Sequence, residues 1–445
     1  MGKSKMPVIT VVLILAVVGG LYFWQVQGGK LVMFPGGRSS DRLVAVETDT
    51  GIYVVNKDKG VYRMEKIELS VANPILGWWI SDQRLLVLDG ETRFVDMSDG
   101  GCEVKVVNGL WIIKRDRNKW SVEKNITLPN TALCERVSGT KPDQCVLLFP
   151  PGEKSFSDDA FTYTGQEAKT GKVCLLELDK EKQQTIQVED KPLNLTVIDF
   201  CCTAFCYTPY GELFYTDSNR VYKGKSDDKV FKLTAINNIG GNDFGIVALG
   251  FCPNTKSTLI NIINRDASED YFAIGPGEEP HLLLHSDYYL PRGWSVGNIK
   301  TIGDSGWICG HTSGSNEERP SGAWLMNVQT GEKQYLGNYF CHTIDREGST
   351  FLYRYGSWNK HEYYPPENVV KQLKGNQVAK EYNVPGWFDV IKMGNISGQD
   401  YMVGIHRVKS SPYIDQLDKT GDELYVYDPA QGFLQFLSYG VKGVE

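Results

Sequence analysis

One stretch of the chain has the spacing of a catalytic serine. Gly293-Trp294-Ser295-Val296-Gly297 matches the pattern Gly-x-Ser-x-Gly, in which a sharp turn between a strand and a helix exposes a nucleophilic hydroxyl. The following residues, 298–310, are rich in glycine and β-formers. They do not predict the helix whose backbone N–H groups would help to form an oxyanion hole. We therefore predict that Ser295 lies in a turn and is not a catalytic residue.

The histidines do not predict a metal site or a general base. Of the six, His281 and His285 flank three leucines in a segment that is typical of a strand. A spacing of four in a strand puts both side chains on one face but well apart along it, which is poor metal-ligand geometry. We predict no catalytic residue, no cofactor site and no metal site in this chain.

The ten cysteines favour disulfides if the domain lies outside the cytoplasm. Cys201, Cys202 and Cys206 cluster, but no second pair at metal-site spacing accompanies them. Cys134 and Cys145 flank a turn-rich segment between two strands, and we predict a local disulfide between them. In a reducing compartment, all ten cysteines would instead be small apolar residues of the core.

Three asparagines stand in the Asn-x-Ser/Thr pattern of glycosylation acceptors: Asn125, Asn194 and Asn395. The pattern is short and has meaning only in a host that glycosylates such sites. We predict these three positions as candidate glycan attachment sites.

The N-terminal segment predicts a membrane anchor. Residues 6–24 read MPVITVVLILAVVGGLYFW and carry no charge, and a helix of this length rises about 28 Å, close to the thickness of a bilayer. Lysines precede it and aromatic residues end it, which favours translocation of the remainder. We predict a cytoplasmic tail at 1–5, a signal-anchor helix at 6–24 and a flexible linker at 25–39. The alternative is a cleaved secretory signal; either places the main domain in a periplasm, a lumen or at the cell surface.

The composition indicates a globular, strand-rich domain that does not bind nucleic acid. Hydrophobic residues make up 41% of the chain and charged residues 23%, and there are 46 glycines and 23 tyrosines. Such a chain has enough apolar surface for a core, and many tight turns favour β-structure. The net charge of −7 is spread without a basic stripe, which argues against a nucleic-acid partner.

One unit, a strand, a polar turn and a second strand, recurs along the rest of the chain. Eight copies begin at Gly51, Arg93, Lys172, Asn219, Tyr271, Ala323, Asn368 and Glu423. Another strand pair precedes most of them, so each repeat supplies about four strands, the size of a propeller blade. We predict an all-β domain at 40–440, a β-propeller of seven or eight four-stranded blades, with the irregular stretch 106–130 as the ambiguous part. Two packed β-sandwiches are the alternative.

Strings such as WISDQRLLVLD, YTPYGELFYTD and LYVYDPAQG resemble blades of TolB-like and related β-propellers. The resemblance covers most of 40–440 at the level of the repeat and implies a propeller without implying a substrate.

Three functions compete. A tethered ring without a catalytic constellation favours a binding or scaffold module for a protein or glycan partner. A propeller enzyme would bring residues of perturbed pKa together at the channel, and a subunit of an envelope complex would interact through its membrane helix. A scaffold predicts an exposed aromatic patch on a rim, whereas an enzyme predicts titratable groups in a central pocket.

Overall fold

The computed structural model describes much of the chain from residue 41 onward. The described residues are 41–97, 100–117, 119–139, 142–152, 155–161, 170–217, 220–227, 229–237, 239, 246–252, 256–263, 269–286, 306–312, 322–327, 330, 332–337, 339–343, 350–353, 367–386, 388–406 and 423–445. The predicted tail, anchor helix and linker lie outside these residues. Within them, no helix has the length and apolar character needed to cross a membrane.

The prediction of an all-β fold is confirmed. The described residues form 33 strands, one α-helix and one short 3-10 helix. Most strands join in antiparallel hairpins, with tight polar turns at the positions the repeats indicate. In the hairpin of residues 51–66, Lys59 and Gly60 have φ angles of 49° and 87°, the left-handed pair that a two-residue type I′ turn requires.

The first sheet joins the two ends of the domain. Its strands are β1 (Ala45–Thr48), β2 (Gly51–Asp58), β3 (Val61–Lys66) and β33 (Val441–Val444). The order is β3-β2-β1-β33, so the last strand of the chain pairs with the first. A domain that ends at residue 440, as the sequence predicts, would lack this closing strand.

The second, third and fourth groups of strands form one hydrogen-bonded network, because long strands of the second group reach the third. It begins with β4 (Pro74–Ser81), β5 (Arg84–Met97), β6 (Gly100–Asp116) and β7 (Lys119–Arg136), in that order. A register shift after Asp89 divides β5 and β6 into two halves. The irregular stretch 106–130 is the outer hairpin of this sheet, formed by the second half of β6 and the first half of β7.

We call the hairpin of residues 90–107 the inserted hairpin. The sequence predicts it as the repeat that begins at Arg93, but it does not form the outer two strands of a sheet as the other repeats do. Its strand β6 pairs through residues 105–107 with residues 132–134 of β7. On its other edge, β7 pairs with β9 (Gln144–Phe149). The inserted hairpin therefore extends the inner edge of the third group of strands.

The third and fourth groups continue the same hydrogen-bonded network. Beyond β9 lie β10 (Gly171–Glu177) and β11 (Lys182–Val188). β11 pairs in parallel with β17 (Val230–Ala235), which is followed by β16 (Val221–Asp227), β15 (Glu212–Thr216) and β14 (Ala204–Tyr207). Short segments complete it: β8 (Ser138–Gly139), β12 (Lys191–Pro192) and β13 (Asn194–Leu195). Helix α1 (Val197–Cys202) begins at Thr196, whose side chain accepts the Asp199 N–H in a capping box.

Four further sheets follow along the chain, three of them four-stranded and one three-stranded in the described residues. The fifth has β18 (Ile246–Cys252), β19 (Ser257–Ile263), β20 (Glu269–Ile274) and β21 (His281–Ser286). The sixth has β22 (Trp307–Thr312), β23 (Gly322–Asn327) and β24 (Lys333–Gly337). The seventh has β25 (Phe340–Thr343), β26 (Thr350–Tyr353), β27 (Glu367–Lys374) and β28 (Gln377–Pro385), and the eighth has β29 (Asp389–Ile396), β30 (Gln399–His406), β31 (Glu423–Asp428) and β32 (Phe433–Tyr439).

Buried apolar clusters join consecutive sheets. Separate clusters lie between the second and third groups, the third and fourth, the fourth and fifth, the sixth and seventh, and the seventh and eighth. One more cluster joins the eighth, first and second. In the described residues, such clusters lie at every junction but the one between the fifth and sixth sheets. Antiparallel meanders that pack against their neighbours in chain order, with the terminal strand paired to the first, have the topology of a β-propeller.

Candidate functional site

A buried ion pair joins the first and last sheets. Asp428, on β31, is 0% exposed, and its Oδ2 accepts from the Lys57 Nζ at 2.8 Å and the Tyr62 hydroxyl at 3.0 Å. Lys57 also lies 4.8 Å from the centre of the Tyr62 ring. Burial alone would raise the pKa of Asp428, but the bonds from Lys57 and Tyr62 outweigh it and hold the pKa below its usual value. The carboxylate is therefore a fixed part of the ring closure.

The outer strand β32 is joined to the first sheet at the same place. The Gln435 side chain accepts from the Tyr62 N–H at 3.0 Å and donates to the Tyr62 carbonyl at 2.5 Å. These two bonds fix β32 against β3. The side chains on β32 are thus held on a backbone that is anchored on two sides, by β31 and by the first sheet.

Three aromatic rings, which we call the rim patch, lie together on one face of the β31–β32 hairpin: Tyr425 of β31 and Phe436 and Tyr439 of β32. The Phe436 ring is 5.5 Å from that of Tyr425 and 4.6 Å from that of Tyr439. Phe436 is 40% exposed and Tyr439 63%. The Tyr425 hydroxyl donates to Glu423 at 2.7 Å, which raises the pKa of Tyr425 to about 12. Adjacent, pre-positioned aromatic rings on a surface are typical of a binding site.

β32, which carries two of the three rings of the rim patch, has little of the usual protection of an edge strand. β32 reads FLQFLSY and contains no charged residue, no proline and no glycine. It is the outermost strand of its sheet in the described part of the chain, and Phe433 is 45% exposed on the strand's other face. Natural edge strands usually carry lysine, proline or a bulge that prevents pairing with another chain. Of these devices β32 has only a bulge, at Leu437, where its register against β31 shifts.

A cavity of about 390 Å³ opens beside the base of the inserted hairpin. It is lined by polar side chains and two aromatic rings: Asn73, Glu91, Arg93, Asn108, Thr131, Ser155, Phe156 and Phe161. The Arg93 guanidinium bonds to Glu91 and Asp158 and lies 4.9 Å above the Phe161 ring. Because two carboxylates already neutralise Arg93, the cavity does not select for an anion.

The inserted hairpin places different chemistry on its two faces. On one face, Val104 and Val106 join the core between the third and fourth groups. On the other, the Lys105 Nζ donates to the Leu76 carbonyl of β4 at 2.6 Å. The hairpin thus lies between the inner strand of the second sheet and the fourth group.

Glu135, on the inner half of β7, has a strongly raised pKa beside this hairpin. Glu135 keeps contact with solvent, but many protein atoms lie around its carboxyl group and reduce its hydration. The resulting loss of solvation, with a smaller contribution from the Cys102 thiolate, raises the pKa of Glu135 to about 8. An exposed carboxyl with such a pKa can exchange a proton near neutral pH.

The predicted disulfide between Cys134 and Cys145 is not formed in the structure, where both are reduced. The two residues lie on neighbouring strands, but Cys134 is opposite Leu147 and Cys145 is opposite Arg136. Their thiols form a hydrogen bond inside the core, and this bond and burial raise the pKa of Cys145. A diagonal pair of strand residues has Cβ atoms about 7 Å apart, whereas a disulfide requires about 4 Å. Cys309, on β22, is disulfide-bonded.

The structure separates the three glycosylation candidates. Asn125 and Asn194 are exposed. Asn395 is 8% exposed, and its side-chain amide donates to Asp400 at 2.8 Å and accepts from the Gly398 N–H at 3.0 Å. A glycan on Asn395 would break both bonds and the packing around them, so the folded structure is compatible with the first two candidates alone.

The serine motif at 293–297 lies outside the described residues, and of the six histidine side chains only that of His281, which is exposed, is described. Among the described residues, no group of three or more His, Cys, Asp or Glu side chains is arranged to hold a metal ion. The sequence did not single out Phe436, Tyr439 or Glu135. The uncharged run of β32 was an available signal for the first two; for Glu135 there was none, because its environment comes from distant segments.

Comparisons with known proteins give remote structural likenesses. No protein-family model matches the chain, and no curated protein matches it. Solved structures that resemble it include a eukaryotic initiation factor, 9% identical with a TM-score of 0.46 over 89% of this chain and 84% of that one. Others are the β-propeller domain of the trilobed protease from Pyrococcus furiosus (8% identical, TM-score 0.40, 83% and 98% covered) and an oligogalacturonate lyase from Vibrio parahaemolyticus (12%, 0.40, 76% and 86%).

Proposed function

We propose that this protein is a membrane-anchored, extracytoplasmic β-propeller that binds a partner protein along β32. Residues 6–24 supply the anchor, and the lysines before them favour a translocated domain. The disulfide at Cys309 supports an oxidising compartment. The exposed positions of Asn125 and Asn194 are compatible with a compartment in which glycans are added.

We further propose that the propeller has eight blades. The first four strand groups are β33-β1-β2-β3, then β4 with the first half of β5, the second half of β6 and the first half of β7, then the second half of β7 with β9 to β11, then β14 to β17. The other four are β18 to β21, β22 to β24, β25 to β28 and β29 to β32. The inserted hairpin is then an addition on the inner side of the third blade. It reaches both the second and fourth blades, as expected for an element that fills part of a central channel.

The observation that carries the binding proposal is an exposed, uncharged aromatic strand on a rigid rim. The Asp428 network and Gln435 hold β32 in place before any partner arrives, so binding costs little conformational entropy. Exposed aromatic residues lie on both faces of the strand, Phe433 on one and Phe436 on the other. They can contact the partner's side chains on either face of an added strand.

The chemistry of β32 also defines the partner. An edge strand binds an extended segment through main-chain hydrogen bonds, while its side chains select the sequence that is added. Because β32 has no charged residue, an ionic partner segment would lose solvation without gaining an ion pair. We therefore propose an extended, uncharged segment of another protein, rich in aliphatic and aromatic residues.

The proposal can be tested by placing a charge on the strand. The full-length protein is solubilised from its native membrane in mild detergent, and the size of its complex is compared between wild type and the variants Phe436→Lys and Tyr439→Lys. Lysine at an edge opposes strand addition, so each variant is expected to migrate as the isolated protein while wild type migrates as a larger complex.

The matched control is Tyr335→Lys, since Tyr335 is 40% exposed on the outer strand of another sheet. It is expected to keep the wild-type size. Equal sizes for wild type and both β32 variants, or equal loss of the complex in the control, would contradict the proposal. Thermal unfolding of the purified variants distinguishes lost binding from lost folding.

A further inference from the structure

Two cysteines from separate elements meet beside Glu135. Cys102 is on β6 in the inserted hairpin, and Cys201 is near the end of α1. Both are reduced in the structure, both pack against the core between the third and fourth groups, and their thiols share a hydrogen bond. The chain between them is 98 residues long, so only the fold brings them together.

This pair differs from the other reduced cysteines of the described residues in its access to solvent. Cys102 and Cys201 are half-buried, whereas Cys134, Cys145, Cys174, Cys206 and Cys252 are buried. Thiol–disulfide exchange requires that a thiolate reach the sulfur of another molecule, so access is decisive. The thiols of Cys134 and Cys145 are in contact with each other but are buried away from solvent. This pair therefore serves as an internal control for the effect of solvent access.

The surroundings of Cys102 favour its thiolate. The hydrogen bond from Cys201 lowers the pKa of Cys102, against the opposing effects of burial and of the negative charge of Glu103. Because Cys102 is half-buried, its thiol proton can pass to solvent water. A thiol that is accessible, activated by a hydrogen bond and next to a second thiol is typical of reactive cysteine pairs.

We propose that Cys102 and Cys201 form a redox-active dithiol that is oxidised to a disulfide by exchange with a small-molecule disulfide. The Cys102 thiol loses its proton to water, and the Cys102 thiolate attacks one sulfur of the small disulfide. That S–S bond breaks, a mixed disulfide forms on Cys102, and the first small thiolate leaves. Cys201 then attacks the Cys102 sulfur, its proton passes to the second departing thiolate, and an intramolecular disulfide remains. Two protein thiols are oxidised and one small disulfide is reduced to two thiols.

The oxidised form would link the inserted hairpin covalently to α1. This link goes beyond the proposed partner binding, because β32 is on another sheet and is not required for it. In the reduced form the hairpin is held by packing and by Lys105, and in the oxidised form it is also held by a covalent bond between the third and fourth groups of strands.

The test uses the full-length protein, reduced and then freed of reductant, with oxidised glutathione as the probe. Thiols that remain are alkylated at intervals, and the digested protein is analysed by mass spectrometry. We expect Cys102 and Cys201 to lose alkylation at the same rate and to appear as one disulfide-linked peptide pair, while Cys134 and Cys145 become oxidised far more slowly. Cys201→Ser is expected to stop at a glutathione adduct on Cys102.

Three results would overturn the proposal. They are continued alkylation of Cys102 and Cys201 under glutathione, oxidation of the buried pair at the same rate, and a Cys201→Ser variant that takes up no glutathione while its circular dichroism matches wild type. The last comparison keeps a folding defect distinct from a lack of reactivity. Migration of the membrane complex is measured in the same samples, so that failure here is separable from failure of the partner proposal.

Discussion

The Lys57 ammonium lies 2.8 Å from the Asp428 carboxylate, 371 residues away along the chain. The contact joins β2 to β31, the strand that pairs with β32. It acts beside the pairing of β33 with β1. The segment that follows the last sheet is thus held in the first sheet by a backbone ladder, and side chains join the two sheets directly. A partner that binds β32 therefore meets a surface whose position depends on this closure.

Replacing Asp428 with Asn should destabilise the domain by about 3 kcal/mol, because it leaves the nearly buried Lys57 charge without its carboxylate. The free energy of unfolding in denaturant is the measurement. Asp58→Asn is the matched control, since Asp58 and its partner Arg63 are largely exposed and such a pair contributes little. Similar losses for both variants would show that the Asp428 network does not stabilise the closure.

The same carboxylate predicts a loss of stability in acid. The pKa of Asp428 is lowered in the folded state, so its contribution is complete above the usual carboxyl value of about 4 and is lost as the pH falls from there through the folded value. The difference in stability between wild type and Asp428→Asn should accordingly shrink below about pH 4. Melting temperatures of the two proteins across the acid range test this, and a constant difference would disagree with it.

The raised pKa of Glu135 predicts the opposite dependence of stability on pH. Its pKa is raised to about 8, so folding favours the protonated form, and the stability gained is present below the usual carboxyl value and is lost as the pH rises to about 8. Glu135→Gln should match wild type near pH 4 and melt at a higher temperature than wild type at pH 9. Identical melting profiles of the two proteins over this range would show that the carboxyl is ordinary.

The glycosylation candidates test the compartment. When the protein is made in a cell that adds N-linked glycans to translocated chains, we expect glycans on Asn125 and Asn194, which are exposed, and none on Asn395, whose amide is bonded on both sides. Enzymatic release of glycans converts the modified asparagines to aspartates, which mass spectrometry locates. A domain with no glycan at either exposed site would argue against translocation in such a cell.

The hairpins of the fold could be predicted from the sequence because their signal is local. Alternating strands with polar turns mark each repeat, and every one of the eight predicted hairpins is a hairpin in the structure. Their assembly was harder to predict. The hairpin from Arg93 has the same pattern as the others, yet it pairs with the inner half of β7, and only this long-range pairing distinguishes an insertion from part of a blade.

The residues of the candidate sites also divide into those with a local sequence signal and those that only tertiary packing brings together. The cysteine pair chosen from sequence, Cys134 and Cys145, is close along the chain and adjacent in the fold, but the register sets the two residues diagonally and the structure leaves them reduced. Cys102 and Cys201 meet through tertiary packing that no spacing rule reveals. The raised pKa of Glu135 likewise depends on how residues from separate strands enclose it.

Partner binding along β32 is tested most directly by photo-crosslinking in the native membrane. A photoreactive phenylalanine analogue replaces Tyr439 in one full-length protein and Tyr335 in another, since both side chains are exposed on outer strands. We expect one discrete adduct with another protein from position 439, lost when Phe436 is replaced by Lys, and no such adduct from position 335. Absence of an adduct at 439, an adduct that Phe436→Lys leaves unchanged, or the same adduct from both positions would contradict it.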